Sequence, residues 1–205
     1  MTIHELAALE QNRTAKQCAD CSFAGEHYLH VYERYFEARR QHVKRVLEIG
    51  VLGGHSLRLW RDYFPNATIL GMDINHDTMF TDDRIQTCVG DQSNPADLAR
   101  LALGGPYDII IDDASHITSH IITSFHALWP LIVSGGLYCM EDLRCTYHGT
   151  DSGWPGQKLN KFIPPYGERE RMDMLIKSLI NDLDNKRGDV RSMHVHCMQL
   201  IIEKV

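Results

Sequence analysis

Short continuous apolar runs alternate along this chain with apolar residues spaced for one face of a helix. The first stripe, Tyr28, Val31, Tyr32, Tyr35 and Phe36, falls at i, i+3, i+4, i+7 and i+8 and predicts a helix between Glu26 and Arg40. Val46, Leu47 and Ile49 then read as a strand entering the glycine turn Gly50-Val51-Leu52-Gly53-Gly54, and Leu57, Trp60 and Phe64 mark a helix beyond it. TILGMDI gives a second strand that ends at Asp73, and Ile85 to Val89 a third. Tyr107 to Ile111 is the fourth; its run Ile109-Ile110-Ile111 shows no polar alternation, as expected of a parallel strand buried on both faces. Ile121, Ile122, Phe125, Leu128 and Trp129 form another helical stripe, which Gly135-Gly136 should stop before a strand from Leu137 to Met140. A helix follows from about Glu168 to Asp184, then two closing strands, Ser192 to His196 and Met198 to Lys204. Residues 1 to about 25 read as a short helix and an irregular segment. Residues 146–167 are rich in Gly, Pro and aromatics without periodicity, as in a lid or substrate loop, with a disordered segment as the alternative.

Polar chemistry collects where the predicted strands end. In an open α/β sheet the loops leaving the carboxyl ends of the strands carry the ligands, which puts Asp112, Asp113 and His116 at the working edge. Glu48, Asp73 and Asp91 close three further strands, with Gln92 beside the last. The order strand, glycine turn, helix is that of a nucleotide site, since glycine lets a backbone come close and a helix start offers free N–H groups. The turn has no G-x-G, however, and Glu48 before its first glycine would repel a pyrophosphate but suit a cationic ligand. Asp73 stands 20 residues after Gly53, a spacing at which an acid commonly meets ribose hydroxyls. Asp91 could accept from an adenine amino group. Taken singly, each of these acids is more often a turn residue.

Composition narrows the field. The 205 residues suit one domain, 1–205, with its own core. A net charge of −6 leaves no lysine and arginine surplus for nucleic acid. No apolar run nears the ~18 residues of a membrane span, and the first residues lack the apolar core of a signal peptide, so a cytoplasmic protein is expected. Cys18-Ala19-Asp20-Cys21 is formally a CxxC, but no second CxxC or close CxxH completes a zinc set, and reduced thiols are the simpler reading. His194 and His196 have no nearby acids and read as edge histidines. The hydrolase elbow G-x-S-x-G is absent.

With LEIGVLGGHSLRLW, GMDI, GDQSN, IIDDASH, GGLY and the Glu141-Asp142 pair in hand, the chain resembles a class I S-adenosylmethionine-dependent methyltransferase, and more closely the macrocin and mycinamicin sugar O-methyltransferase family, over roughly residues 25–205. The resemblance implies a Rossmann-like α/β fold: a seven-stranded mixed sheet of order 3-2-1-4-5-7-6, strand 7 antiparallel, with helices on both faces. It implies that Glu48, Gly50, Ser56, Asp73, Ile74, Asp91, Gln92 and Asp112 line the cofactor site, joined by Tyr28, which the helical stripe leaves open between core and ligand contact. Asp113, Glu141 and Asp142 would hold Mg²⁺ or a similar divalent cation, and His116 would be the general base. One departure is local: an acid-lysine pair that precedes the His-Tyr in the family is replaced by CADCSFAGEHY.

The reading that unites these residues is an S-adenosylmethionine- and metal-dependent oxygen methyltransferase acting on a small hydroxylated molecule, a sugar or glycosylated natural product. Methyl transfer from a sulfonium needs a positioned hydroxyl and a group to take its proton. Two alternatives share much of the pattern. A catechol-type enzyme would use the same metal logic on an aromatic diol, and Trp154, Phe162 and Tyr166 in the long loop suit either a sugar or a ring. A module that binds cofactor without turnover would keep the same acids. For Glu141-Asp142 the bland alternative is a turn cap; for His116 it is a helix cap or a further metal ligand. Neither a particular acceptor nor an assembly of identical chains follows from the sequence.

Overall fold

A computed structural model of the chain describes residues 1–17, 22–23, 26–146 and 169–205. In chain order the elements are α1 (Ile3–Ala7), β1 (Ser22–Phe23), β2 (Glu26–His27), α2 (Tyr28–Phe36), β3 (Arg45–Ile49), α3 (His55–Tyr63), β4 (Thr68–Asp73), β5 (Thr81–Asp82), β6 (Ile85–Val89), α4 (Pro95–Arg100), β7 (Tyr107–Asp112), α5 (Thr118–Leu128), β8 (Ile132–Met140), α6 (Arg169–Asp184), β9 (Val190–His196) and β10 (Gln199–Lys204). β1 and β2 pair with each other, and the remaining strands form one sheet in the order β5-β6-β4-β3-β7-β8-β10-β9.

Without its edge strand this is the expected order, with β10 antiparallel to both neighbours. The sheet has eight strands rather than the seven expected, because β5 adds two residues antiparallel to β6. β8 also begins at Ile132, five residues before the expected Leu137, and runs straight through Gly135-Gly136. A side chain on Gly136 would come within 2.8 Å of the Asp108 carbonyl, so these glycines allow β8 to bulge against β7 rather than ending an element.

The apolar runs are buried on both faces. Val46, Ile109 and Ile111 pack with Tyr32, Phe36, Leu57 and Trp60 on one side. Leu47, Ile49, Ile110, Tyr138 and Met140 pack with Phe125, Leu128 and Leu175 on the other. Each such side chain contributes about 1.5–3 kcal/mol by leaving water. From β3 the chain winds to β4 and β6, then returns to place β7 on the other side of β3. Ligand crevices of open α/β sheets lie at such a reversal, outside the carboxyl ends of the two strands.

Gly50 shows how closely the backbones meet there. It has φ +102°, and a Cβ on it would sit 2.1 Å from the Asp113 carbonyl oxygen. The Asp113 N–H donates to the Ile49 carbonyl at 2.9 Å, so the glycine turn and the residue after β7 are pinned together.

Candidate active site at the carboxyl edge of the sheet

Asp73 closes β4 and gathers the glycine turn. One of its oxygens accepts from the backbone N–H groups of Val51 (2.8 Å) and Leu52 (3.1 Å), the other from Asn75 (2.9 Å). Ile74 beside it is 68 % exposed and Leu52 85 %, an apolar pair at the rim. Asp91, after β6, accepts from both the N–H and the hydroxyl of Ser93, which hold its carboxyl below the usual range.

Gln92 and Asp112 sit deeper. The Gln92 amide donates to Asp112, its oxygen accepts from Ser115, and Ser124 and Tyr138 also donate to Asp112. Burial pushes the Asp112 carboxyl up to about 6, against the pull of these donors. These two expected cofactor residues therefore face one another beneath the edge rather than the open crevice.

Around β3, β7 and β8 the carboxylates converge on one ammonium. Lys16 is buried, with Nζ 2.5 Å from Asp113 Oδ2, 2.8 Å from both Glu141 oxygens and 3.1 Å from Glu48 Oε1. Burial opposes its charge, yet Asp113, Glu141 and Glu48 outweigh that cost and hold its pKa well above the ordinary lysine value. Glu48 also accepts from Trp60 Nε1 at 2.8 Å and from the Ser56 hydroxyl at the start of α3. Glu141 takes the Tyr32 hydroxyl as well, and burial and then Asp113 push its carboxyl up.

Asp142 points the other way. Its Oδ1 accepts from the Tyr28 hydroxyl at 2.7 Å, and Oδ2 lies 3.4 Å from His116 Nε2. Asp142 and His116 both have left-handed backbone, φ 53° and 56°. That region is unfavourable for residues with a Cβ and persists where surrounding structure enforces it, often at functional sites. One ligand atom from each of Asp113, His116 and Asp142 lies within 4.8 Å of the others.

No family model matches the chain. Over 133 residues it is 46 % identical to demethylmacrocin O-methyltransferase of Streptomyces fradiae, which covers 61 % of the chain and 32 % of that enzyme. Over 199 residues it is 42 % identical to 8-demethyl-8-alpha-L-rhamnosyl tetracenomycin-C 2'-O-methyltransferase of Streptomyces olivaceus, covering 86 % of the chain and 50 % of that enzyme. The MycE methyltransferase of the mycinamycin biosynthetic pathway, solved with Mg, SAH and mycinamycin VI, superposes with a TM-score of 0.77 at 34 % identity, over 100 % of this chain and 53 % of its own. The chain is a homologue of the sugar O-methyltransferases. It spans a third to a half of the length of the two curated relatives.

In this methyltransferase homologue the expected metal trio is divided. Asp113 and Asp142 come together with His116, and Asp113 also binds Lys16, whereas Glu141 is turned to Lys16 and Tyr32. Tyr28 puts its ring in the core and its hydroxyl on Asp142, so core and site share one residue. Lys16, Tyr32, Ser124 and Tyr138 escaped the sequence reading. For Tyr32 a signal existed, since it stands four residues after Tyr28 and their hydroxyls reach adjacent acids. Lys16 lies in a short 3₁₀ turn with no periodicity to mark it. Cys18, Cys21 and the loop expected over 146–167, apart from Thr146, lie outside the described residues, as do Trp154, Phe162 and Tyr166. Among the described residues no helix is long and apolar enough to cross a membrane.

Proposed function

We propose that this chain, as one domain over 1–205, is an S-adenosylmethionine- and divalent-metal-dependent O-methyltransferase acting on a sugar hydroxyl of a glycosylated small molecule. The observation that carries the reading is the convergence of Asp113, His116 and Asp142 beside the glycine turn, at the reversal between β3 and β7. The similarity to O-methyltransferases named for demethylmacrocin, a rhamnosyl tetracenomycin and mycinamicin VI supports the substrate class. Such an enzyme would work in the cytoplasm.

S-adenosylmethionine, when bound, supplies an electrophilic methyl carbon on a sulfonium, so transfer breaks one S–C bond and forms one O–C bond. The glycine turn and Asp73 form the cradle: Asp73 fixes the turn through Val51 and Leu52 and keeps lone pairs for ribose hydroxyls. Ile74 and Leu52 offer an apolar rim to a base, and Asp91 an acceptor for its amino group. Asp112 and Gln92 support the floor from below. Asp113 and Asp142 suit a hard oxygen-liganded cation, and Glu141 could join them only by releasing Lys16. Three carboxylates face the single Lys16 ammonium, so if all are ionised an excess of negative charge remains for a divalent ion. Magnesium, when bound, supplies charge that orients acceptor oxygens and acidifies a hydroxyl. His116 takes that hydroxyl's proton, and the Asp142 carboxylate at 3.4 Å stabilises the imidazolium that results.

The test is incubation of the full chain with S-adenosylmethionine, Mg²⁺ and a panel of rhamnosyl and macrolide glycoside acceptors, with mass spectrometry for one added methyl. Methylation of a sugar hydroxyl that stops in excess chelator is expected. Turnover only on catechols would replace the sugar by an aromatic diol, and S-adenosylhomocysteine binding with no turnover on either class would make the chain a cofactor-binding module.

A further inference from the structure

A second group of metal-binding side chains lies outside this site. His4 in α1, His27 at the cap of α2 and His30 in its first turn each bring a ring nitrogen within 4.8 Å of the other two. The rings of His27 and His30 stack at 4.0 Å between centroids, and His4 approaches them at 5.3 and 4.5 Å. One turn along α2, the Glu33 carboxylate lies 3.4 Å from His4 Nε2. Three imidazoles and a carboxylate thus come together from two helices that are far apart in sequence.

Hydrogen bonding at the cap of α2 accounts for the pairing of His27 with His30 but not for the approach of His4. Among the described residues neither His4 Nε2 nor His27 Nδ1, both buried atoms, has a hydrogen bond, and His4 Nε2 faces the Glu33 carboxylate at 3.4 Å; buried polar atoms rarely keep that state. His30 Nδ1 accepts from the His27 N–H at 3.3 Å, which fixes its ring and leaves its other nitrogen for another partner.

We propose that His4, His27, His30 and Glu33 form a second metal site, for a borderline divalent transition ion such as Zn²⁺, distinct from the oxygen-rich site at Asp113 and Asp142. Imidazole favours Zn²⁺, Ni²⁺ and Cu²⁺, whereas Mg²⁺ favours carboxylates and water. A tetrahedral zinc with arms of about 2.0–2.1 Å spaces its ligands about 3.3 Å apart. The Glu33–His4 separation of 3.4 Å is close to that value, and the three ring nitrogens lie within 4.8 Å of one another. The role is structural. α1 has five residues, too few to hold its own helix, and the ion would fasten it to α2. That clamp braces the segment leading to Lys16 on one side, and on the other Tyr28, which follows His27 and holds Asp142.

The test uses the full chain, stripped with chelator and then held in excess Mg²⁺ so that the oxygen site is saturated. Zn²⁺ alone is titrated by calorimetry, and Co²⁺ is followed by its visible absorption. One tightly bound equivalent of Zn²⁺, a tetrahedral Co²⁺ spectrum and a higher melting temperature with Zn²⁺ are expected. His4→Ala and His30→Ala should each weaken Zn²⁺ by more than the roughly 10–100-fold that loss of a supporting partner costs. Both should keep their far-ultraviolet dichroism, and Asp113→Asn should bind Zn²⁺ as wild type does. Unchanged Zn²⁺ affinity in the folded His4→Ala/His30→Ala double variant would overturn the assignment. So would Zn²⁺ binding lost only in Asp113→Asn.

Discussion

Replacing Lys16 by Met removes the ammonium but keeps most of the volume. Glu48, Asp113 and Glu141 would then face one another with no counter-charge, the first and last fully buried. Deleting one partner of a buried ion pair costs about 3–5 kcal/mol, and that is the expected loss of unfolding free energy in chelator near neutral pH. The deficit should shrink on acidification. Glu141 and Glu48 already have carboxyl pKa values raised, mainly by burial, so the folded chain binds protons there before the unfolded chain does. Stability therefore rises as pH falls through those raised values toward the ordinary carboxylate value, and protonation removes the repulsion that Lys16 had been offsetting. The same substitution should strengthen divalent-ion binding, because Lys16 Nζ occupies Asp113 Oδ2, an oxygen proposed for the metal. Two unit charges ~4 Å apart interact by about 1 kcal/mol in water and about 4 at a protein surface. Doubling the lower value for a divalent ion gives a gain in Mg²⁺ affinity of roughly 30-fold. Urea unfolding at two pH values with and without Mg²⁺, together with calorimetry, measures both effects. A Lys16→Met chain as stable as wild type in chelator, with unchanged Mg²⁺ affinity, would refute the reasoning.

Gly50→Ala should fail to accumulate as folded protein or lose several kcal/mol in a denaturant series, because its Cβ would meet the Asp113 carbonyl at 2.1 Å on a backbone with φ +102°. Wild-type stability would show that β3 and β7 do not meet as described. Ser124→Ala removes one donor from the buried Asp112 carboxylate and should cost about 1.5–3 kcal/mol at neutral pH. Since Asp112 titrates at about 6 in the folded chain, above its ordinary value of 3.8, its contribution improves as pH falls through 6, and the Ser124→Ala deficit should narrow over the same interval in thermal melts. His116→Ala should lower the methylation rate by about 10²–10⁴ while S-adenosylhomocysteine affinity stays near wild type; unimpaired turnover between pH 6 and 9 would remove His116 as the base.

The centre of the sheet was legible in the sequence because β3 and β7 are buried on both faces, and such strands write themselves as apolar runs closed by acids. Val46-Leu47 and Tyr107 to Ile111 stand where the pattern puts them, and so does Ile85 to Val89, of which only Ile85 is buried. β5 and α4 left no comparable trace: β5 is two exposed residues, and of the six in α4 only Leu98 is buried. Gly135-Gly136 misled because glycine marks a bulge as readily as an end, and only the partner strand decides between them. Which acids meet which partners was likewise outside the sequence's reach. β8 ends at Met140 and Asp142 turns into left-handed backbone, so Glu141 and Asp142 part, one toward Lys16 and the other toward His116. The identity of the cation between Glu48, Asp113 and Glu141 depends on where residues 15 to 17 pack, and that segment carries no periodic signal. The histidine cluster is of the same kind. His27 and His30 are close in sequence, but His4 joins them only through the docking of α1 on α2. Period and punctuation, which are local, fixed where the strands run and where the acids fall along them; long-range packing decided which charges are paired, because an ion pair is set by distance in space and leaves no mark on spacing along the chain.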